Sequence, residues 1–89
     1  MIFISLIKWK PLPTEELLAG MNKVTKSLGE LEKQGIKVDL YWTLGRYDAV
    51  AVGEAPNEKA AMKVLLGFRD IVETETMIAV SREEAIKLF

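Results

Sequence analysis

Residues 2–9, Ile-Phe-Ile-Ser-Leu-Ile-Lys-Trp, limit the possible folds more than any other segment of the chain. As a β-strand, this segment is apolar on both faces, with Ile2, Ile4 and Leu6 on one and Phe3, Ile7 and Trp9 on the other. A strand of this kind is normally buried on both faces. We therefore expect it to lie inside a sheet that is covered on both sides.

Three further strands are predicted by alternation and composition. Residues 36–44 alternate strictly between apolar and polar side chains, and residues 48–54 form a second run after the short Gly45-Arg46-Tyr47 connection. Two strands around a short glycine-containing link indicate an antiparallel hairpin. A fourth strand is predicted over about residues 72–80, polar at its start and apolar at its end.

Amphipathic helices occupy the segments between these strands. The first is predicted from an N-cap at Thr14 to about Lys33, ended by Gly35, with one apolar stripe: Leu17, Met21, Val24, Leu28 and Leu31. The second follows Pro56 with Asn57 as its N-cap, and its apolar stripe is Ala60, Ala61, Val64, Leu65 and Phe68. Ser81-Arg82-Glu83-Glu84 matches a capping box and predicts a short final helix.

The order of these elements predicts an α+β fold of the ferredoxin-like βαββαβ type, as a single domain over residues 1–89. The four-stranded sheet is expected to be antiparallel with its first and third strands central, and both long helices are expected on one face. The other face would then expose apolar side chains, among them Tyr41 and Met77 or Ile78. An exposed apolar face of this size indicates a partner site, and a second copy of the chain can cover it by twofold symmetry.

Composition excludes several classes of function. The chain of 89 residues has no Cys and no His, so thiolate, Fe–S, zinc-finger and Ser-His-Asp chemistry are all excluded, and no cofactor or metal is expected. The net charge of −1 gives no footprint for nucleic acid, and the strand at 48–54 lacks the basic and aromatic residues of an RNA-binding sheet. Without a secretory signal or a membrane-length apolar run, we expect a cytoplasmic protein that does not contact membranes. Ten Glu and nine Lys, with few side-chain amides, suggest a thermophile.

The hairpin sequence Tyr41–Val50 resembles that of the GYD domain family, whose signature is a glycine, one variable residue, an aromatic and an aspartate. Here these are Gly45, Tyr47 and Asp48. The resemblance covers nearly the whole chain and implies a dimeric α+β barrel, similar in fold to a superfamily of small ferredoxin-like chains. That superfamily includes haem-degrading and antibiotic-biosynthesis monooxygenases, muconolactone-isomerase-like enzymes and amino-acid-binding regulatory domains, but the resemblance implies no activity for this chain.

Five residues around the hairpin are the candidate ligand-binding site: Tyr41, Thr43, Arg46, Tyr47 and Asp48. A Tyr–Asp pair can relay a proton or bind a polar ligand. The structural interpretation is that Gly45 supplies an unusual φ and that Asp48 accepts hydrogen bonds from N–H groups of the turn. We favour the structural interpretation for Tyr47 and Asp48, and expect Tyr41 to line a cavity between two sheets.

Two other groups carry weaker signals. Glu73 and Glu75 share one strand face, and we expect ion pairs with Lys8, Lys10 or Arg46 rather than a metal site. Trp42 belongs to the apolar face of its strand and is expected in the core. The leading hypothesis is a homodimer or higher homo-oligomer that binds a small apolar or amphipathic ligand between sheets. The alternatives are a cofactor-free monooxygenase- or isomerase-like enzyme and a purely structural subunit.

Overall fold

The computed structural model describes all 89 residues and confirms the predicted order of elements. The strands are β1 (Ile2–Trp9), β2 (Lys37–Trp42), β3 (Ala49–Glu54) and β4 (Val72–Ala79). The helices are α1 (Thr14–Lys33), α2 (Glu58–Phe68) and α3 (Arg82–Ile86). Each strand boundary lies within two residues of its prediction. None of the three helices combines the length and the apolarity required to cross a bilayer.

The four strands form one antiparallel sheet in the order β2-β3-β1-β4, so β1 and β3 are central as expected. Phe3 on β1 lies opposite Gly53 on β3 and Ile78 on β4. This register fixes which residues share a face, because side chains alternate along each strand. It therefore also fixes the set of side chains that the helices leave uncovered.

Both long helices pack on the same face of the sheet. Phe3 is buried there in one cluster with Leu31 of α1 and with Ala61 and Val64 of α2. A Cβ atom at Gly53 would overlap the Phe3 ring, so the glycine lets the ring lie directly against the backbone of β3. The odd-numbered positions of β1 thus face the helices.

The start of α1 differs from the sequence prediction, whereas its end agrees with it. Thr14 is its first helical residue and not its N-cap; Pro13 precedes the helix and supplies no side-chain cap. The Pro13 carbonyl accepts the first bond of the helix from Leu17 N–H at 3.0 Å, so Pro13 occupies the N-cap position with an extended backbone (ψ 146°). At the other end, Ile36 N–H donates to Leu31 O and Gly35 N–H to Glu32 O, and Gly35 has a φ of +81°. These bonds form a Schellman motif, which confirms the predicted glycine stop.

Side-chain caps at the other two helices are as predicted. Asn57 Oδ1 accepts a hydrogen bond from Ala60 N–H at 2.9 Å, and Ser81 Oγ accepts one from Glu84 N–H at 3.2 Å. Such caps satisfy N–H groups that have no partner within the helix. The short α3 is therefore specified by its own sequence, although Leu88 and Phe89 beyond it are exposed.

Candidate functional site

The sheet face turned away from the helices, here called the open face, is apolar at its centre. Its side chains alternate with the buried ones of β1, so Ile4 and Leu6 belong to it. In the register of the sheet, two adjacent rows run across all four strands. The first row is Asp39, Val52, Ile4 and Met77, and the second is Tyr41, Val50, Leu6 and Glu75.

Charged side chains surround this apolar centre. Beyond the first row, Lys37 lies opposite Glu54, and beyond the second, Lys8 lies opposite Glu73. Asp39 and Glu75 mark the two edge strands. An apolar centre with a polar rim is the usual anatomy of a protein–protein interface. Each end of the open face carries charges of both signs.

The β2–β3 hairpin closes one end of the open face. Gly45 has a φ of +131°, a region that favours glycine, and this confirms the unusual turn conformation expected there. Thr43 N–H donates to Asp48 O at 3.0 Å, and the Thr43 hydroxyl donates to Tyr47 O at 2.7 Å. These two bonds hold the ends of the turn together.

Asp48 joins the hairpin to β1. Its backbone N–H donates to Ile7 O at 2.9 Å, and its carboxylate Oδ2 accepts a hydrogen bond from Trp9 N–H at 2.8 Å. The prediction that N–H groups of the turn would be the donors is therefore wrong. The carboxylate bonds a neighbouring strand because β3 begins only at Ala49, and the side chain takes the place of a ladder carbonyl.

Tyr47 connects the hairpin to the far edge strand. Its hydroxyl donates to Glu75 Oε2 of β4 at 2.9 Å, and the Arg46 guanidinium lies 5.7 Å from the centre of its ring. The hydrogen bond to Glu75 and some desolvation raise the pKa of Tyr47 above its ordinary value, while Arg46 acts in the opposite direction. The expected ion pair of Glu75 is thus replaced by a bond to a tyrosine hydroxyl.

The structure brings four of the five candidate residues together. Thr43, Tyr47 and Asp48 are linked by hydrogen bonds, and Arg46 lies over Tyr47. Tyr41 lies on the open face opposite Val50, with 57% of its surface exposed. Three of the polar side chains are thus used inside the protomer, and this supports the structural interpretation of the hairpin motif.

Two positions differ from the sequence prediction. Trp42 is 71% exposed and not in the core; its ring is tilted against that of Trp9, with 5.4 Å between centroids. It lies on the helix side of an edge strand, which α1 does not cover at that end. Glu75 was missed as the partner of Tyr47, because the register that brings the two residues together across β1 is not encoded in any local pattern. No three acidic side chains are grouped closely enough to hold a metal ion.

Comparison with known proteins agrees with this architecture. The GYD domain family matches residues 3–89 of the chain. Among solved structures, the chain is similar to the de novo designed protein Ferredog-Diesel, with a TM-score of 0.61 at 15% sequence identity. The match covers 86% of this chain and 83% of the designed one, and it supports the ferredoxin-like fold alone. None of the curated proteins matches the chain in sequence.

Proposed function

The chain belongs to the GYD domain family, and we propose that it functions as a homodimer whose two sheets pack through their open faces. The observation that carries this proposal is the apolar centre of the open face, with Ile4, Leu6, Val50 and Val52 on its two central strands. Packing two such faces together removes this surface from water and leaves the helices on the outside. The product is a closed α+β barrel made of two copies.

The charges of the rim favour a second copy as the partner. Lys37 lies opposite Glu54 at one end, and Lys8 lies opposite Glu73 at the other. A twofold axis between two facing sheets brings rim against rim, so each end meets both signs of charge. Neither end is purely acidic or purely basic, so like-charge repulsion at the two ends does not oppose the pairing.

The size of the open face indicates that further surface takes part. Four strands ~4.8 Å apart, each with about six residues at ~3.4 Å, give roughly 400 Å² in plan. A stable dimer buries ~800 Å² of accessible surface per partner. The open face falls short of this value even when the relief of its side chains is added to the plan area. The C-terminal segment, residues 80–89, follows edge strand β4 directly and exposes Val80, Ile86, Leu88 and Phe89. We assign it to the same dimer contact.

The second part of the proposal is a small ligand bound between the two sheets. Hydrogen bonds within the protomer limit which polar side chains are free to contact it. The polar groups of Thr43, Tyr47 and Asp48 are engaged within the protomer. The hydroxyl of Tyr41, beside the apolar rows, is therefore the polar contact for an amphipathic ligand, and Arg46 is the charged one. The cofactor-free enzyme alternative is less well supported, because Thr43 and Asp48 are engaged with backbone groups and the Tyr47 hydroxyl is engaged with Glu75.

Native mass spectrometry and sedimentation of purified protein test the dimer. Val52→Lys places a charge at the centre of the open face, where the side chain is 36% exposed in the protomer. Met62→Lys on α2 is the matched control, because that side chain is 56% exposed and lies away from the sheet. We expect a dimer for the parent protein and for Met62→Lys, and a folded monomer for Val52→Lys. A monomeric parent protein, or a dimeric Val52→Lys variant, would contradict the proposal.

A further inference from the structure

A cavity of about 200 Å³ lies between the sheet and the two long helices, on the side opposite the open face. Its floor is made by small buried side chains on the central strands: Ser5, Ala49 and Ala51. Larger residues such as Leu28, Phe68 and Ile71 form its walls. The volume therefore arises because the centre of the sheet carries short side chains where the helices stand above it.

The lining of the cavity is almost entirely apolar. Sixteen of its nineteen residues are hydrophobic, and the remaining three, Ser5, Thr25 and Thr74, carry hydroxyl groups. No lining residue is charged. Transferring an ion into such a space without a partner is strongly unfavourable, so the lining selects a neutral occupant.

One buried polar group on the floor has hydrogen-bonding capacity to spare. Ser5 is 1% exposed, and its hydroxyl lies 2.9 Å from that of Thr76. Two hydroxyl groups that bond to each other use only one of their two hydrogens in that bond. With Thr76 as the donor, the Ser5 hydrogen is left for an acceptor oxygen in the cavity; with Ser5 as the donor, the Ser5 oxygen can still accept from a hydroxyl of the occupant. An alcohol group on an otherwise apolar molecule meets either requirement, and a carbonyl group meets the first.

The two tryptophans of the chain, Trp9 and Trp42, both line the cavity and are in contact with each other. Trp42 and Leu40 are exposed on the helix side of β2, which places the opening of the cavity at this edge strand. An apolar cavity of ~150 Å³ in another protein stays dry and binds benzene. The space found here accommodates a ring of that size with one small substituent.

We propose that this cavity binds a small neutral molecule with one aromatic or alicyclic ring and a single oxygen-containing group. The site is distinct from the open face, because it lies on the other side of the sheet. The inference therefore stands independently of the proposed dimer. Typical ligand pockets have volumes of ~300 Å³ or more, so the occupant of this smaller cavity is smaller than an average ligand.

The test is titration of the protein with benzyl alcohol and, separately, with benzoate, followed by intrinsic tryptophan fluorescence. Because both tryptophans line the cavity, an occupant changes their emission. We expect saturable binding of benzyl alcohol and binding of benzoate that is weaker by about tenfold or more, since the charged group finds no partner. Absence of saturable benzyl alcohol binding, or equal binding of the two probes, would overturn the proposal.

Variants locate the site. Ala51→Leu fills the cavity from its floor and is expected to weaken benzyl alcohol binding by about tenfold or more while the protein stays folded. Ala19→Leu makes the same change at an exposed position of α1 and is expected to leave binding unchanged. Unchanged binding by Ala51→Leu would place the probe elsewhere and refute the assignment.

Two further experiments keep the test decisive if Ala51→Leu does not fold. One uses a smaller substitution in the cavity floor, and the other uses the Val52→Lys protein. Ala49→Val adds less volume to the same floor and is expected to weaken binding to a smaller extent. If both variants fail to fold, the space is not available to side-chain atoms and the proposal is wrong. Repeating the titration on Val52→Lys separates this site from the dimer, because we expect the monomeric variant to bind benzyl alcohol as the parent does.

Discussion

The carboxylate of Asp48 accepts a hydrogen bond from the backbone N–H of Trp9 at 2.8 Å and thereby extends the pairing of β1 with β3 beyond the first residue of β3. The same residue donates its own N–H to Ile7 O. One aspartate thus makes both bonds of a ladder step, one with its backbone and one with its side chain. Tyr47 precedes β3 and is not paired in the sheet, and its hydroxyl donates to Glu75 on the far strand β4.

The first prediction concerns this carboxylate. Asp48→Ala leaves the Trp9 N–H without its partner, and hydrogen bonds to charged groups contribute about 1.5–3 kcal/mol. We expect a loss of this order in the free energy of unfolding, measured by urea denaturation. Asp48→Asn keeps an acceptor oxygen and should lose clearly less. If Asp48→Ala is as stable as the parent protein, the carboxylate has no structural role.

The second prediction concerns the ionisation of Tyr47. The bond to Glu75 raises the pKa of Tyr47, so Glu75→Gln should lower that pKa towards the usual value of about 10. Ultraviolet titration of tyrosinate in a Tyr41→Phe background measures Tyr47 alone. Glu73→Gln, on the same face of β4, is the control and should leave the titration curve unchanged.

The same shift has a consequence for stability. The folded-state pKa of Tyr47 lies above its unfolded value, so the contribution of the Tyr47–Glu75 bond is complete below about pH 10. It is lost as the pH rises through the raised pKa. The difference in stability between the parent protein and Glu75→Gln should therefore shrink in alkaline solution. A difference that grows with pH contradicts the assignment.

The third prediction compares two glycines. Gly53→Ala places a Cβ atom on the Phe3 ring, and overpacking of this kind costs about 1–3 kcal/mol. Gly29 lies within α1 with nothing near its missing Cβ, and Gly29→Ala should raise stability by about 0.5–1 kcal/mol. Thermal or urea denaturation of both variants tests the opposite signs. A stabilising Gly53→Ala would mean that Phe3 does not lie over this glycine.

The sequence predicted the elements well because their signals are local. The stripe of α1, the glycine stop at Gly35 and the cap at Asn57 each depend on residues within a few positions of one another. The two-sided apolarity of β1 also identified it as a central strand. These features need no knowledge of tertiary packing.

Other features depend on tertiary contacts and were missed. The exposure of Trp42 depends on how far α1 covers the edge strand β2, and alternation along a strand does not report this. The donor to Asp48 and the partner of Tyr47 both lie on other strands, so their identity depends on register. The cavity was missed because Ala49 and Ala51 fit a strand pattern as well as larger residues do.

The central claim is that the open face is covered by a second copy in solution, and the rate of oxidation of methionine by peroxide tests it most directly. Met77 on the open face and Met62 on α2 are similarly exposed in the protomer, at 47% and 56%. We expect Met77 to react much more slowly than Met62 at high protein concentration, and we expect the difference to disappear in Val52→Lys. Equal rates at the two methionines in the concentrated parent protein would contradict it.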